Sequence, residues 1–350
     1  MSTDAPVTNE GELDHERLAD WLRAAVDPSI SGLAVSKLAN GHSSGAWRLD
    51  LTADEPRSLV LKAPTLPSVV FARDACREAR IYDALHRHGG PVPAIAAVDD
   101  AGTAIGRPCF VMEHVDARGL LDTGMAGYHD DPWLKAQPPD DQRAVWDGFY
   151  DALAGLHDVD PRHVTEARFG PNGLRDVIDY WRASLLDAAP PESVPRQITL
   201  LDWAEDNLPG DADHHPAVCL GDARIANCLF VGTEARALVD FEVAYIGNPK
   251  ADVGYSLFFD DLQRANAPQP LPGAGTADDA WDRWGAATGR DTDDRAFWTA
   301  FSAMVVVITA SRAMVQWGLA GPSLDDDNPL VGLWEQAVER AEADGTGTRR

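Results

Sequence analysis

An α+β fold, a small antiparallel sheet followed by a mostly helical remainder, is what this 350-residue sequence predicts. Three observations lead there. Short β-rich runs separated by turn residues fill the first 115 residues, broken by one helical stretch. Helical spacing dominates afterwards. A compact β insertion near residues 217–241 interrupts that helical part. A doubly wound sheet would instead alternate strand and helix throughout.

Residues 1–12 read as a flexible tail, acidic and without the apolar stretch of a secretory signal. From Asp14 to Val26, Leu18, Trp21, Leu22 and Ala25 recur at helical spacing. Leu33–Leu38, Ala46–Leu51 and Ser58–Lys62 follow as three antiparallel strands, the first two joined by the glycine-bearing turn Asn40–Gly45. A helix from about Phe71 to His88 stops at Gly89, Gly90 and Pro91. Ala94–Val98 and Pro108–His114 complete a five-stranded first lobe, residues 1–115, and a linker near Asp116–Gly119 opens the second, residues 116–350.

In the second part, Arg143–His157 places Val145, Trp146, Phe149, Leu153 and Leu156 on one face. Gly173–Leu186 and Val194–Asn207 read as helices. The short apolar runs Ala217–Leu220, Cys228–Val231 and Arg236–Phe241 read as strands. Helices return after Pro249. Phe297–Leu319 is apolar, but it carries Arg312, Gln316 and several hydroxyls, so it reads as a buried helix rather than a membrane span.

Composition narrows function. Hydrophobic residues make up 45%, sufficient for a large core. The net charge of −26 repels phosphate backbones and anionic lipid, arguing against nucleic-acid and membrane partners. It reads first as a solvated surface, with attraction of a cationic substrate as the other reading. Cys76, Cys109, Cys219 and Cys228 form no C-x-x-C pair. A reduced, cytoplasmic protein is therefore expected, and nothing fixes an oligomeric state. Lysine is scarce (Lys37, Lys62, Lys135, Lys250), which draws notice to Lys62 at the end of the apolar run Leu59-Val60-Leu61.

The β insertion holds the chemistry. Asp222 follows Gly221, Asn227 comes five positions after Asp222, and Asp240 leaves the apolar run Leu238-Val239. Each alone would be turn chemistry. Together they supply the sparse, hard oxygen donors that magnesium accepts alongside phosphates and water, plus a carboxylate to deprotonate a hydroxyl.

Leu220–Phe230, Asp240-Phe241-Glu242 and Gly247–Tyr255 together resemble the catalytic loop, metal loop and downstream aspartate of the aminoglycoside phosphotransferase family, whose fold is protein-kinase-like. The resemblance implies two lobes, the smaller β-rich with one helix, the larger mainly helical, closing over a Mg-bound nucleoside triphosphate. It implies Asp222 as base, Asn227 and Asp240 as Mg2+ ligands, and Asp252 as a brace beneath the loop. It implies Lys62 on the α and β phosphates, paired with Glu78; the bland readings are a snorkelling lysine and an exposed glutamate. Gly41, Ser43 and Ser44 would cover the phosphates. Backbone atoms near Glu113 and Val115 would bind adenine, with Met112 against the ring, leaving ATP and GTP both open.

Arg224 would either steady the charge developing on the transferred phosphoryl group or pair with an acidic neighbour. Leu220 departs from the family's usual histidine, and Asn248 from a common aspartate. The implied activity is γ-phosphoryl transfer to a hydroxyl of an aminoglycoside-like molecule or other hydroxylated metabolite or antibiotic. Phe169-Gly170 through Tyr180-Trp181-Arg182, with Trp203 and Asn207-Leu208-Pro209, looks like the branch fused to acyl-CoA dehydrogenases, so a hydroxyacyl-CoA is a further acceptor. A nucleotide-binding pseudokinase with a regulatory role is the alternative from another class.

Overall fold

A computed structural model describes residues 13–38, 44–64 and 68–345, the side chain of Ser44 excepted. The tail expected at 1–12 and the turn residues Gly41 and Ser43 lie outside the described residues; Ser44 is described by its backbone alone. The chain forms two compact units. One comprises Met1–Arg80 and Ala94–His114, the other Ile81–Pro93 and Val115–Arg350.

In the first unit, Asp14 caps helix α1 (His15–Ala25) by accepting the Arg17 N–H at 3.0 Å. Strands β1 (Gly32–Lys37), β2 (Ser44–Thr52) and β3 (Arg57–Pro64) precede helix α2 (Ala75–Arg87), and β4 (Ile95–Asp99) and β5 (Cys109–Glu113) follow it. The sheet is antiparallel in the order β1-β2-β3-β5-β4. Strand alternation decides what faces where. Leu59, Leu61, Ala63, Cys109 and Val111 enter one core with Leu18 and Leu22 of α1. Val60, Lys62, Phe110 and Met112 consequently share the other face, with Lys62 opposite Phe110 and Val60 opposite Met112. Helix α2 begins four residues later than its apolar spacing implied. Asp74 caps it, accepting the N–H groups of Cys76 and Arg77 at 2.9 and 3.0 Å. The second half of α2 clusters with the second unit.

The second unit is mainly helical, as expected. It contains α3 (Pro132–Lys135), α4 (Pro139–His157), α5 (Leu174–Ala188) and α6 (Pro195–Asp206). Two short antiparallel ladders follow. Strand β6 (Ala217–Cys219) pairs with β9 (Tyr245–Gly247), and β7 (Cys228–Val231) pairs with β8 (Glu234–Leu238). Then come α7 (Lys250–Asn266), α8 (Ala277–Thr288), α9 (Arg295–Gln316), α10 (Leu324–Asp327) and α11 (Leu330–Ala343). A capping box of Thr276 and Asp279 starts α8, and left-handed Gly289 stops it.

Helix α9 is the hub of this unit, packed against α5, α7 and α11. By length and composition it could cross a membrane, but 67% of its apolar window is buried inside the protein, as its polar residues foretold. At Gly254 a Cβ would lie 2.4 Å from the Trp298 carbonyl oxygen, so α7 meets α9 backbone to backbone.

Candidate active site

In the first unit the alternation of β3 aims Lys62 away from the α1 core and onto α2. Its Nζ donates to Glu78 Oε1 at 2.7 Å, and both residues are buried. Arg73 binds the other oxygen of Glu78. Glu78 is thus a buried carboxylate shared by two cations. Met112 is buried on the same sheet face as Lys62. The N–H of Glu113 is committed to Ala94 O at 2.8 Å, and its carboxylate to Arg57 at 3.2 Å.

The loop between β6 and β7 carries Asp222, Arg224 and Asn227. Gly221 enters it at φ +82°, where a Cβ would sit 2.4 Å from Val243 O. Only glycine satisfies both constraints. Asp252, in the first turn of α7, accepts the N–H groups of Leu220 at 2.6 Å and Gly221 at 3.0 Å. His157 Nε2 lies 3.0 Å from the same carboxylate, and Trp284 donates its indole N–H to His157 Nδ1 at 2.9 Å. With Nδ1 accepting, Nε2 carries the proton and donates to Asp252. Leu220 is fully buried. The hydrogen-bonded support of the loop thus comes from Asp252 and His157, and no side chain at position 220 is needed for it.

Within the loop, Asn227 Nδ2 donates to the Asp222 carbonyl at 2.8 Å, leaving Oδ1 as the amide atom a cation can take. The Val239 N–H bonds Asn227 O at 2.8 Å, which sets Asp240 beside Asn227. Asp240 holds φ +71°, a left-handed conformation that non-glycine residues adopt at a cost. Its N–H is fixed by the Tyr82 hydroxyl at 2.7 Å, and Tyr82 packs edge-on to Phe241 at 5.0 Å. Among the described residues no group of three or more His, Cys, Asp or Glu gathers as a metal cage. One amide oxygen and one carboxylate are the hard, incomplete donor set that fits magnesium already carrying phosphate and water.

Arg224 pairs with acidic neighbours, one of its two anticipated roles. Its Nη1 reaches both oxygens of Asp122 at 2.8 and 2.9 Å, and its Nη2 donates to Asp222 Oδ2 at 2.6 Å. Burial works against its charge, and the adjacent Asp222 more than compensates, so its pKa is raised and it stays ionised. Beside it, α4 and α7 flank a small cavity of about 20 Å³, walled by Tyr128, Trp146, Phe149, Tyr150 and Phe259. Asp260 also lines it, but its carboxylate is engaged by Tyr128, His129 and Arg264.

The second unit therefore brings Asp222, Arg224, Asn227 and Asp240 together, and the first brings Lys62, Glu78 and Met112 to one face. Sequence reasoning missed Asp122, Tyr82, His157 and Trp284, which lie far along the chain from the motifs. It quoted Tyr255 as part of a motif without giving it a role.

The profile of the phosphotransferase enzyme family matches residues 34–287. The chain belongs to that family. Among curated relatives, this phosphotransferase-family chain is 30% identical over 231 residues to "Acyl-CoA dehydrogenase family member 11" of Gallus gallus, an alignment covering 65% of this chain and 28% of that protein. The chain spans less than a third of the length of the curated relatives it matches. Among solved structures, a protein from Ralstonia eutropha JMP134 with a provisional assignment as an aminoglycoside phosphotransferase superposes with a TM-score of 0.68 at 23% identity, covering 94% of this chain and 99% of that one. A thermostable mutant of aminoglycoside phosphotransferase APH(4)-Ia, in ternary complex with ADP and hygromycin B, gives 0.54 at 16% identity over 92% and 98%. At these identities the likeness is one of fold: the α+β, kinase-like architecture of the phosphotransferases.

Proposed function

We propose that this chain is a small-molecule kinase that transfers the γ-phosphoryl group of MgATP to an alcohol hydroxyl. The observation that carries the reading is the hydrogen-bonded assembly of Asp222, Asn227 and Asp240 in one braced loop system. Asp222 accepts the proton of the acceptor hydroxyl. The acceptor oxygen then forms a bond to the γ-phosphorus as the bond to the ADP oxygen breaks. Lys62, held by Glu78, binds the α and β phosphates. Asn227 Oδ1 and the Asp240 carboxylate would hold Mg2+. When bound, that ion neutralises the phosphate oxygens as charge builds on them. The work of this chain is alignment and charge placement, which is what phosphoryl transfer demands.

The ADP-bound APH(4)-Ia structure supports ATP as donor, with GTP the competitor to test. For the acceptor, a hydroxylated antibiotic or metabolite is the general reading. Kinship with acyl-CoA dehydrogenase family member 11, together with the aromatic walls beside Arg224, favours a hydroxyacyl-CoA as the second. A pseudokinase, the remaining alternative, would bind nucleotide without turnover.

Labelled ATP and GTP offered with a panel of amino sugars, macrolides, hydroxy acids and hydroxyacyl thioesters test this, with Asp222→Asn as blank. Transfer to at least one alcohol by the wild type and not by the variant is expected. Binding of MgATP with no turnover on any acceptor or water would overturn catalysis in favour of the pseudokinase.

A further inference from the structure

The Asp222 carboxylate has a partner on each oxygen. The Tyr255 hydroxyl donates to Oδ1, and Arg224 Nη2 donates to Oδ2. Neither partner is loose. Arg224 is anchored on its other nitrogen by both oxygens of Asp122, and its guanidinium lies 5.3 Å from the Phe259 ring centre. Tyr255 stacks on Phe259, with centroids 6.0 Å apart, one turn away on α7. Burial, and then the nearby Asp222 charge, raise the Tyr255 phenol well above its ordinary pKa, so it remains a proton donor. Asp122 comes from the segment before α3, Asp222 and Arg224 from the β6–β7 loop, and Tyr255 and Phe259 from α7. Three stretches distant in sequence thus converge on one carboxylate.

The chemistry requires such restraint. A carboxylate on a short loop turns about two side-chain bonds, and a general base must meet the acceptor proton along one direction. A single donor leaves a carboxylate free to swing about that contact. Donors on both oxygens fix its plane. Each oxygen keeps a second lone pair, and that plane decides where those lone pairs point.

Arg224 forms three hydrogen bonds to two carboxylates. Moving it to a phosphate would strip Asp122 of its bidentate partner. It is therefore better placed to hold the base than to reach the transferred group.

We infer that Tyr255 and Asp122 are positioning residues for phosphoryl transfer, Tyr255 by direct donation and Asp122 through Arg224, together setting the plane in which Asp222 receives the acceptor proton. This rests on the reading of Asp222 as the base. It adds two residues that neither the family motif nor the comparisons assign.

The test is Tyr255→Phe, which keeps the ring stack and removes one oxygen, alongside Asp122→Asn and Asp122→Glu. Steady-state hydrolysis of MgATP, with water as acceptor, gives kcat and KM. Crystal structures of the variants give the orientation of the Asp222 carboxylate. In Tyr255→Phe and Asp122→Asn, kcat should fall about 10- to 100-fold with the KM for MgATP changed less than about twofold. The Asp222 carboxylate should rotate out of its wild-type plane, and Asp122→Glu should recover part of kcat. An unrotated carboxylate, with kcat within about twofold of wild type, overturns the inference. Should the wild type neither bind nor hydrolyse MgATP, the kinase reading fails by itself. The carboxylate orientation in Tyr255→Phe then still decides whether the clamp exists.

Discussion

His157 donates from Nε2 to the Asp252 carboxylate at 3.0 Å, joining the end of α4 to the start of α7 beneath the β6–β7 loop. The same carboxylate takes two loop N–H groups, so its loss orphans three buried donors. Asp252→Ala should lower unfolding free energy by about 3–5 kcal/mol. Trp284→Phe, which removes one donor to His157 and leaves a void at a fully buried ring, should cost about 2 kcal/mol. Urea titration of both variants checks the order. A Trp284→Phe loss equal to that of Asp252→Ala would contradict it.

Lys62 and Glu78 should separate function from stability. Lys62→Met removes the proposed phosphate ligand while Glu78 keeps Arg73. The fold should survive, and the rise in Tm caused by MgATP should vanish. Glu78→Ala leaves two buried cations without their shared anion and should destabilise by about 3–5 kcal/mol. Calorimetric scans with and without MgATP distinguish the two effects.

Asp260 links the cavity wall to pH. Burial opposes its ionisation, but hydrogen bonds from His129 and Tyr128 and the Arg264 charge outweigh that, so its pKa lies below the ordinary carboxylate value. A carboxylate depressed in the folded state stabilises above its unfolded pKa of about 4, and this contribution fades as pH falls through the folded value. Asp260→Asn should therefore be less stable than wild type by about 2 kcal/mol at pH 7, with the gap narrowing below about pH 4. Denaturant melts across pH 3–7 read it out. A gap independent of pH would show that Asp260 acts only through packing.

The four cysteines should be inert while the protein is folded. All are buried, and burial lifts Cys76 and Cys109 to about 12. Burial raises Cys219 and Cys228 as well. Reagents that attack thiolates should label none of them before unfolding at pH 8. Prompt labelling of one full equivalent would count against this.

What the sequence disclosed about the site depended on distance along the chain. Asp222, Asn227, Asp240 and Asp252 lie within one segment whose spacing follows from the turns between β6 and α7, so the constellation was legible. Lys62 stood out in the sequence because a scarce lysine closes the apolar run Leu59-Val60-Leu61, although β3 itself continues to Pro64. Asp122, Tyr82 and His157 occupy ordinary positions on a linker and two helices. Only tertiary contact gives them meaning: the Asp240 turn closes on Tyr82, and Arg224 folds onto Asp122. Strand β9 escaped notice because its three residues are a strand only by pairing with β6. Helix α2 is divided between the two units, and Tyr82 in its second half packs on Phe241 within the second unit.

Helices α4 and α7 run in opposite directions along the aromatic cavity. The His157–Asp252 contact rivets them at one end, Tyr150 meets Ser256 midway, and Trp146 and Asp260 stand at the other. The pair is therefore tied at the Asp252 end and midway, while its far end borders the cavity at Trp146 and Asp260. A substitution at Trp146 thus reshapes the cavity at the end of the pair farthest from the His157–Asp252 tie.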